Sequence, residues 1–175
     1  MFILLLLISF LGTCGTVYYI LAKHEGERKT SISLHVAASK KSHALFATGH
    51  FIGGLAFLLF AYKFFYVQHG STTLLLVAIV GFMVEQVQAF LPNNMKFEKV
   101  HTVAAFGMGL CMLVILALAP AVVKLTSGWL AVYIVLALIY LVAGLYAFFN
   151  KQKFYQAQLV FFSLFYAFLL VLIYG

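Results

Sequence analysis

The 175-residue chain is 65% apolar and only 9% charged, and its mean hydropathy is +1.09. In soluble domains about a quarter of all residues are charged. This composition therefore excludes a soluble globular fold and predicts an integral membrane protein. The formal net charge is +7. The basic residues are scattered over short connections, which argues against a nucleic-acid surface and favours attraction to anionic lipid head groups.

Six apolar stretches have the length of roughly 20 residues that a helix needs to cross the hydrocarbon core of a bilayer. They are predicted at residues 2–22, 44–66, 72–90, 100–123, 128–149 and 154–174. All the connections except the first are short. We therefore expect neighbouring helices to run antiparallel in one all-α bundle, a single domain of residues 1–175.

The Lys and Arg residues are distributed unevenly over the connections. Nine of the eleven follow the first, third and fifth stretches: Lys23, Arg28, Lys29, Lys40, Lys41, Lys96, Lys99, Lys151 and Lys153. Only Lys63 and Lys124 lie on the other side. The positive-inside rule predicts that the basic connections face the cytoplasm and that both termini lie outside, as in a bacterial inner membrane.

Small residues recur at helical spacing in two of the stretches. Gly49 and Gly53 form a GxxxG pair in the second stretch, and Ala105 and Gly109 form a similar pair in the fourth. Helices in lipid associate through close packing, so these positions are predicted to form packing grooves. Each groove can face a neighbouring helix of the same chain, a second copy or another membrane subunit.

A short pattern, Lys-x-His followed six residues later by Gly, opens both the second and the fourth stretch, in KSHALFATG and KVHTVAAFG. It places His43 and His101 at similar depth near the lipid head groups. The same spacing indicates a weak repeat of two-helix hairpins.

Ionisable and amide side chains within apolar stretches are functional candidates, because a charge at the bilayer centre costs about 3 kcal/mol. Glu85 is the one acid inside a predicted span. Counting along the helices predicts a polar pocket near the cytoplasmic side, built from His43, His50, Glu85, Gln88 and His101. Two structural readings remain open: an interfacial histidine bonds lipid or water, and a buried Glu–His pair can simply hold two helices together.

Two kinds of catalytic or redox site can be weighed against this composition. A membrane-embedded zinc hydrolase needs three protein ligands and a general base, and the chain contains no Asp and no His-Glu-x-x-His motif. A b-type haem needs two axial histidines on facing helices, for which His50 or His43 with His101 are the candidates. The identity of any metal is left open.

The stretch AFLPNNMKFEKVHTVAAFGMG, at residues 89–109, resembles a segment of bacterial six-span membrane proteins related to the Frag/DRAM/Sfk group. The resemblance implies a lipid-linked or membrane-organising role, with His101 as the matched position.

The sequence as a whole thus predicts a non-enzymatic membrane protein that binds lipid or a small hydrophobic ligand, or an accessory subunit of a membrane assembly. The alternatives are a haem b redox protein and, less favoured, a membrane-embedded lipid hydrolase.

Overall fold

The computed structural model describes residues 1–23, 31–91, 97–149 and 154–175. Their secondary structure is helical: α1 (Phe2–Phe10), α2 (Thr16–Lys23), α3 (Ile32–Ala37), α4 (Lys40–Ala61), α5 (Thr72–Phe90), α6 (Glu98–Val123), α7 (Ser127–Phe149) and α8 (Phe154–Tyr174), with π-helical segments at Leu11–Gly15 and Tyr62–Gln68. Six continuous helical stretches are long and apolar enough to cross a membrane. The chain is thus an integral membrane protein.

We number these stretches as spans. Span one joins α1, the first π-helical segment and α2, and span two joins α4 and the second π-helical segment. Spans three to six are α5 to α8. The six predicted stretches are confirmed as helices that can cross a membrane. Of the basic residues used for the orientation, Arg28, Lys29, Lys96, Lys151 and Lys153 lie outside the described residues.

The first connection is partly helical. α3 begins after Ser31, whose hydroxyl accepts a hydrogen bond from the Leu34 amide at 3.3 Å. Ile32 and Val36 lie one turn apart on α3 and are both buried against span one. The Gln158 side chain of span six accepts a hydrogen bond from the Ile32 amide at 3.0 Å, which ties α3 to the bundle.

Span two begins earlier than predicted, at Lys40 instead of residue 44. The hydroxyl of Ser39 accepts a hydrogen bond from the Ser42 amide at 3.0 Å and thereby caps the helix. Capping allows the polar first turn, including Lys40 and Lys41, to be helical although it is too hydrophilic for the hydrocarbon core.

A cluster of phenylalanines fills the end of the bundle where span two terminates. Phe60, Phe64 and Phe65 are each at most 2% exposed. The Phe60 and Phe64 rings stack with centroids 5.1 Å apart, and Phe2 of span one packs edge-on against Phe64 at 5.3 Å. Such geometries add about 0.5–1.5 kcal/mol per pair to the packing. This cluster fixes span one against span two at that end.

Three glycines bring spans one and two into backbone contact near the middle of the bundle. A Cβ added at Gly12 would lie 2.7 Å from the Gly49 carbonyl oxygen and 2.7 Å from the Gly53 amide nitrogen. Only glycine leaves room for two helices this close. By contrast, no described atom lies within 4 Å of the Cβ position of Gly109, so that groove faces away from the described part of the other spans.

Span five packs mainly on span six and is exposed along most of its length. Its deepest anchor is Tyr133, which is 6% exposed and donates a hydrogen bond of 2.6 Å to the Leu116 carbonyl of span four. The Tyr133 ring also packs on Phe168 of span six, with centroids 4.7 Å apart. Tyr133 thus joins span five to both of its neighbours.

Candidate functional site

Three of the predicted site residues come together where spans two, three and four begin or end. The Nδ1 atom of His101 donates a hydrogen bond to the Leu91 carbonyl at 3.0 Å, and the ring lies within electrostatic range of His43. Gln88 is 8% exposed and its backbone also contacts the His101 ring. The Nε2 atoms of His43 and His101 are both buried, and within residues 1–23, 31–91, 97–149 and 154–175 neither has a hydrogen-bond partner.

His50 is also buried, but it is held by its own helix. Its Nδ1 atom donates to the Phe46 carbonyl at 3.0 Å, and its ring lies over the Phe46 ring with centroids 3.8 Å apart. The side chain of Gln86 donates to the His50 carbonyl at 3.5 Å. In the described part of the chain, no ion pair joins His50 to Glu85. Of the five predicted residues, Glu85 lines a cavity described below, and the other four do not line it.

A haem needs a wide apolar cage between its two axial histidines. His43, His50 and His101 line neither of the two cavities described below. The buried Nε2 atoms of His43 and His101 are enclosed by protein instead of facing an opening. The haem alternative stays a prediction. Three His, Cys, Asp or Glu side chains do not converge as metal ligands anywhere in the described ranges.

Glu85 lines a partly open cavity of about 50 Å³ between the spans. Its carboxylate packs on Gly54 of span two, where an added Cβ would lie 2.9 Å from Oε2. Residues from spans one, two, three, four and six line this cavity. They are Ser9, Thr13, Gly54, Phe57, Ala78, Gly81, Phe82, Glu85, Met108, Cys111, Met112, Ile115, Phe162, Phe165 and Tyr166.

Three hydroxyl groups on the cavity wall form a connected cluster. The Tyr166 hydroxyl lies 2.7 Å from Ser9 Oγ and 2.9 Å from Thr13 Oγ1, while Thr13 donates to the Ser9 carbonyl at 2.9 Å. Thr13 lies in the π-helical segment Leu11–Gly15, and such segments are frequent at functional sites. Cys14 and Cys111 are free thiols, and Cys111 also faces the cavity.

The sequence analysis missed the hydroxyl cluster because Ser, Thr and Tyr are common in apolar helices and give no spacing signal across distant spans. Ser9 and Tyr166 are 157 positions apart in the chain. The one available clue was that Ser9 and Thr13 lie one turn apart on the same face of span one.

A second, larger opening is a lateral groove between spans one and two, with a volume of about 730 Å³. It is lined by Leu11, Gly15, Thr16 and Tyr19 of span one and by Lys41, Ala44, Leu45 and Thr48 of span two. Leu11 and Thr48 of the groove lie next to Gly12 and Gly49, where the two helices touch. From Lys41 to Thr48 it extends about 10 Å along the helix, at 1.5 Å per residue.

No protein-family model, no curated protein and no solved structure matches this chain. The resemblance of residues 89–109 to the Frag/DRAM/Sfk group stays a prediction.

Proposed function

We propose that this protein is a non-enzymatic membrane protein that binds an anionic phospholipid in the groove between spans one and two. The observation that carries the proposal is the form of the groove: it is shallow, mainly apolar and open to the surface of the bundle, with a volume of about 730 Å³ and a lysine at one end. Binding sites for small molecules are commonly 300–1,000 Å³, so the groove has room for the upper part of one acyl chain.

The charge at the end of the groove favours an anionic head group. Lys41 lines the groove and lies in the exposed first turn of span two. Span one ends at Lys23, one turn beyond Tyr19, which lines the groove. A lysine close to an anionic membrane surface contributes about 1 kcal/mol of attraction. The acyl chain would lie on Leu11, Ala44 and Leu45, below the Lys41 ammonium group.

The orientation belongs to the same proposal. The lysine end of the groove faces the cytoplasm, neighbouring spans run antiparallel, and both termini lie outside, in a bacterial inner membrane. The contacts between spans one and two support the antiparallel arrangement, because Gly49 meets Thr16 whereas Gly53 meets Ser9.

The test measures lipid retained by the protein after purification in detergent containing equal amounts of phosphatidylglycerol and phosphatidylcholine, counted by native mass spectrometry. We expect the wild-type protein to retain phosphatidylglycerol preferentially. Lys41→Ala should weaken that retention about fivefold, which corresponds to about 1 kcal/mol. Lys40→Ala is the matched control, since it removes the same charge one residue outside the groove and should change retention by less than about twofold.

A second pair of variants tests the groove itself. Thr48→Trp fills the groove and should displace the lipid, whereas Leu59→Trp adds the same ring at an exposed position elsewhere on span two. Equal retention of the two lipids, or equal effects within each pair, would contradict the proposal. A Soret band that shifts on reduction with dithionite would replace it with the haem alternative.

A further inference from the structure

We propose that the partly open cavity beside Glu85 is a binding site for one small monovalent metal cation, with the Glu85 carboxylate and the hydroxyls of Ser9, Thr13 and Tyr166 as its oxygen ligands. This site is separate from the lipid groove, shares no lining residue with it and does not depend on the proposed function.

The hydrogen bonds of the cluster leave only acceptors for a ligand. Thr13 has one hydroxyl proton and donates it to the Ser9 carbonyl. The contact between Thr13 and Tyr166 therefore requires the Tyr166 hydroxyl to donate. The contact between Tyr166 and Ser9 then requires the Ser9 hydroxyl to donate. All three protons are used within the cluster, so lone pairs are what it has left to offer.

Glu85 adds a carboxylate to this set of acceptors. It lines the same cavity and lies within electrostatic range of Tyr166. In the part of the chain that the structure describes, no Lys, Arg or His forms an ion pair with it, and no hydrogen-bond donor reaches it. A carboxylate buried in the membrane without a compensating charge is costly. When Glu85 is ionised, the cavity presents one negative charge and several oxygen lone pairs, which together complement a cation.

The charge and the size of the cavity select the class of cation. Hard cations prefer carboxylate and hydroxyl oxygens to nitrogen or sulfur ligands. A single carboxylate neutralises one positive charge, so a divalent ion would leave a net charge within the bilayer. The cavity of about 50 Å³ has room for one small ion together with a water molecule, since a water needs at least about 10–15 Å³ of such space.

The experiment follows the thermal unfolding midpoint of the detergent-purified protein at constant pH and ionic strength, while sodium chloride replaces choline chloride. A ligand that binds only the folded state raises the midpoint with the logarithm of its concentration. For a chain of this size we expect about 4 °C for each tenfold increase in sodium above the dissociation constant. Potassium and ammonium chloride are run in parallel to compare ion size and shape.

Substitutions inside and outside the cavity test whether the response of the unfolding midpoint to sodium depends on this site. Glu85→Gln should abolish the response to sodium, whereas Glu98→Gln removes an exposed acid outside the cavity and should leave it unchanged. Tyr166→Phe keeps the acid and removes one oxygen ligand, so it should shift the response to at least about tenfold higher sodium. Tyr166→Phe also tests the proposal if the Glu85→Gln variant does not fold.

The proposal is overturned if sodium and choline give the same midpoint, or if Glu85→Gln and Tyr166→Phe both respond to sodium as the wild type does. A midpoint that depends on pH but not on sodium would also overturn it, because the occupant of the site would then be a proton on Glu85.

Discussion

Replacing Gly12 by Ala places a methyl group where spans one and two touch backbone to backbone. The new Cβ would lie 2.7 Å from the Gly49 carbonyl oxygen, 2.7 Å from the Gly53 nitrogen and 2.8 Å from the Gly53 Cα. Relaxed contacts between such atoms are about 3.5 Å, so the helices must separate by roughly 0.7 Å. All three neighbours are backbone atoms, and no side-chain rotation can relieve the clash.

The magnitude follows from two opposing effects. Overpacking of this kind costs about 1–3 kcal/mol, whereas alanine gains about 0.5–1 kcal/mol over glycine in a helix. We expect Gly12→Ala to lower the free energy of unfolding by about 1–2 kcal/mol, because the backbone cannot yield locally. Gly109→Ala is the matched control. It has no described atom within 4 Å of its Cβ and should be neutral or stabilising by up to about 1 kcal/mol.

The assay is reversible unfolding in mixed micelles with increasing sodium dodecyl sulfate, followed by circular dichroism. A Gly12→Ala variant as stable as the wild type, or stabilised to the same extent as Gly109→Ala, would refute the backbone contact between spans one and two. That result would also argue against the proposed lipid groove, because its lining residues Leu11 and Thr48 lie next to Gly12 and Gly49.

Three further predictions concern the orientation, the aromatic cluster and a titrating turn. A cysteine at Ser31 should react with a membrane-impermeant maleimide only when the cytoplasmic side is opened, and labelling of intact cells would reverse the topology. Phe60→Ala should destabilise the fold by about 3–5 kcal/mol, since the Phe60 side chain is 0% exposed. The control Phe106→Ala, at a side chain that is 77% exposed, should change the stability by no more than about 0.5 kcal/mol. Equal losses of stability in micelle unfolding would contradict the described core. Burial lowers the pKa of His69 in the folded protein below its ordinary value of 6.5. The free energy of unfolding should therefore fall as the pH decreases from 6.5 through the pKa of His69 in the folded state. His69→Gln should flatten the stability profile in that interval, and an unchanged profile would exclude His69 as its source.

The class of the protein and its six spans are determined by local composition, and the sequence was sufficient to predict both. A stretch of about 20 apolar residues must hydrogen-bond its own backbone in lipid, which leaves the helix as the solution whatever the neighbours are. The ends of the spans were less predictable. Polar first turns such as that at Lys40 depend on a serine cap and on hydrated head groups, and α3 depends on its packing against span one.

Only the tertiary structure decided which polar side chains share a site. Depth along each helix predicted that His43 and His101 would lie at one level, and the structure places them within electrostatic range of each other. The depth of a residue along its helix does not tell how that helix is rotated about its own axis. This rotation directs Glu85 toward Gly54 and the hydroxyl cluster, while His50 bonds its own helix at Phe46.

The physical reason is the range of the interactions. The length of each apolar stretch and the charge of each connection are local properties of the sequence. The sequence by itself therefore determined that the chain crosses a membrane and which connections are basic. Helix rotation and crossing depend on contacts between residues far apart in the chain, such as Gly12 with Gly49 and Ser9 with Tyr166. Those contacts shape both the groove between spans one and two and the cavity beside Glu85, and a single sequence does not show which distant residues are in contact.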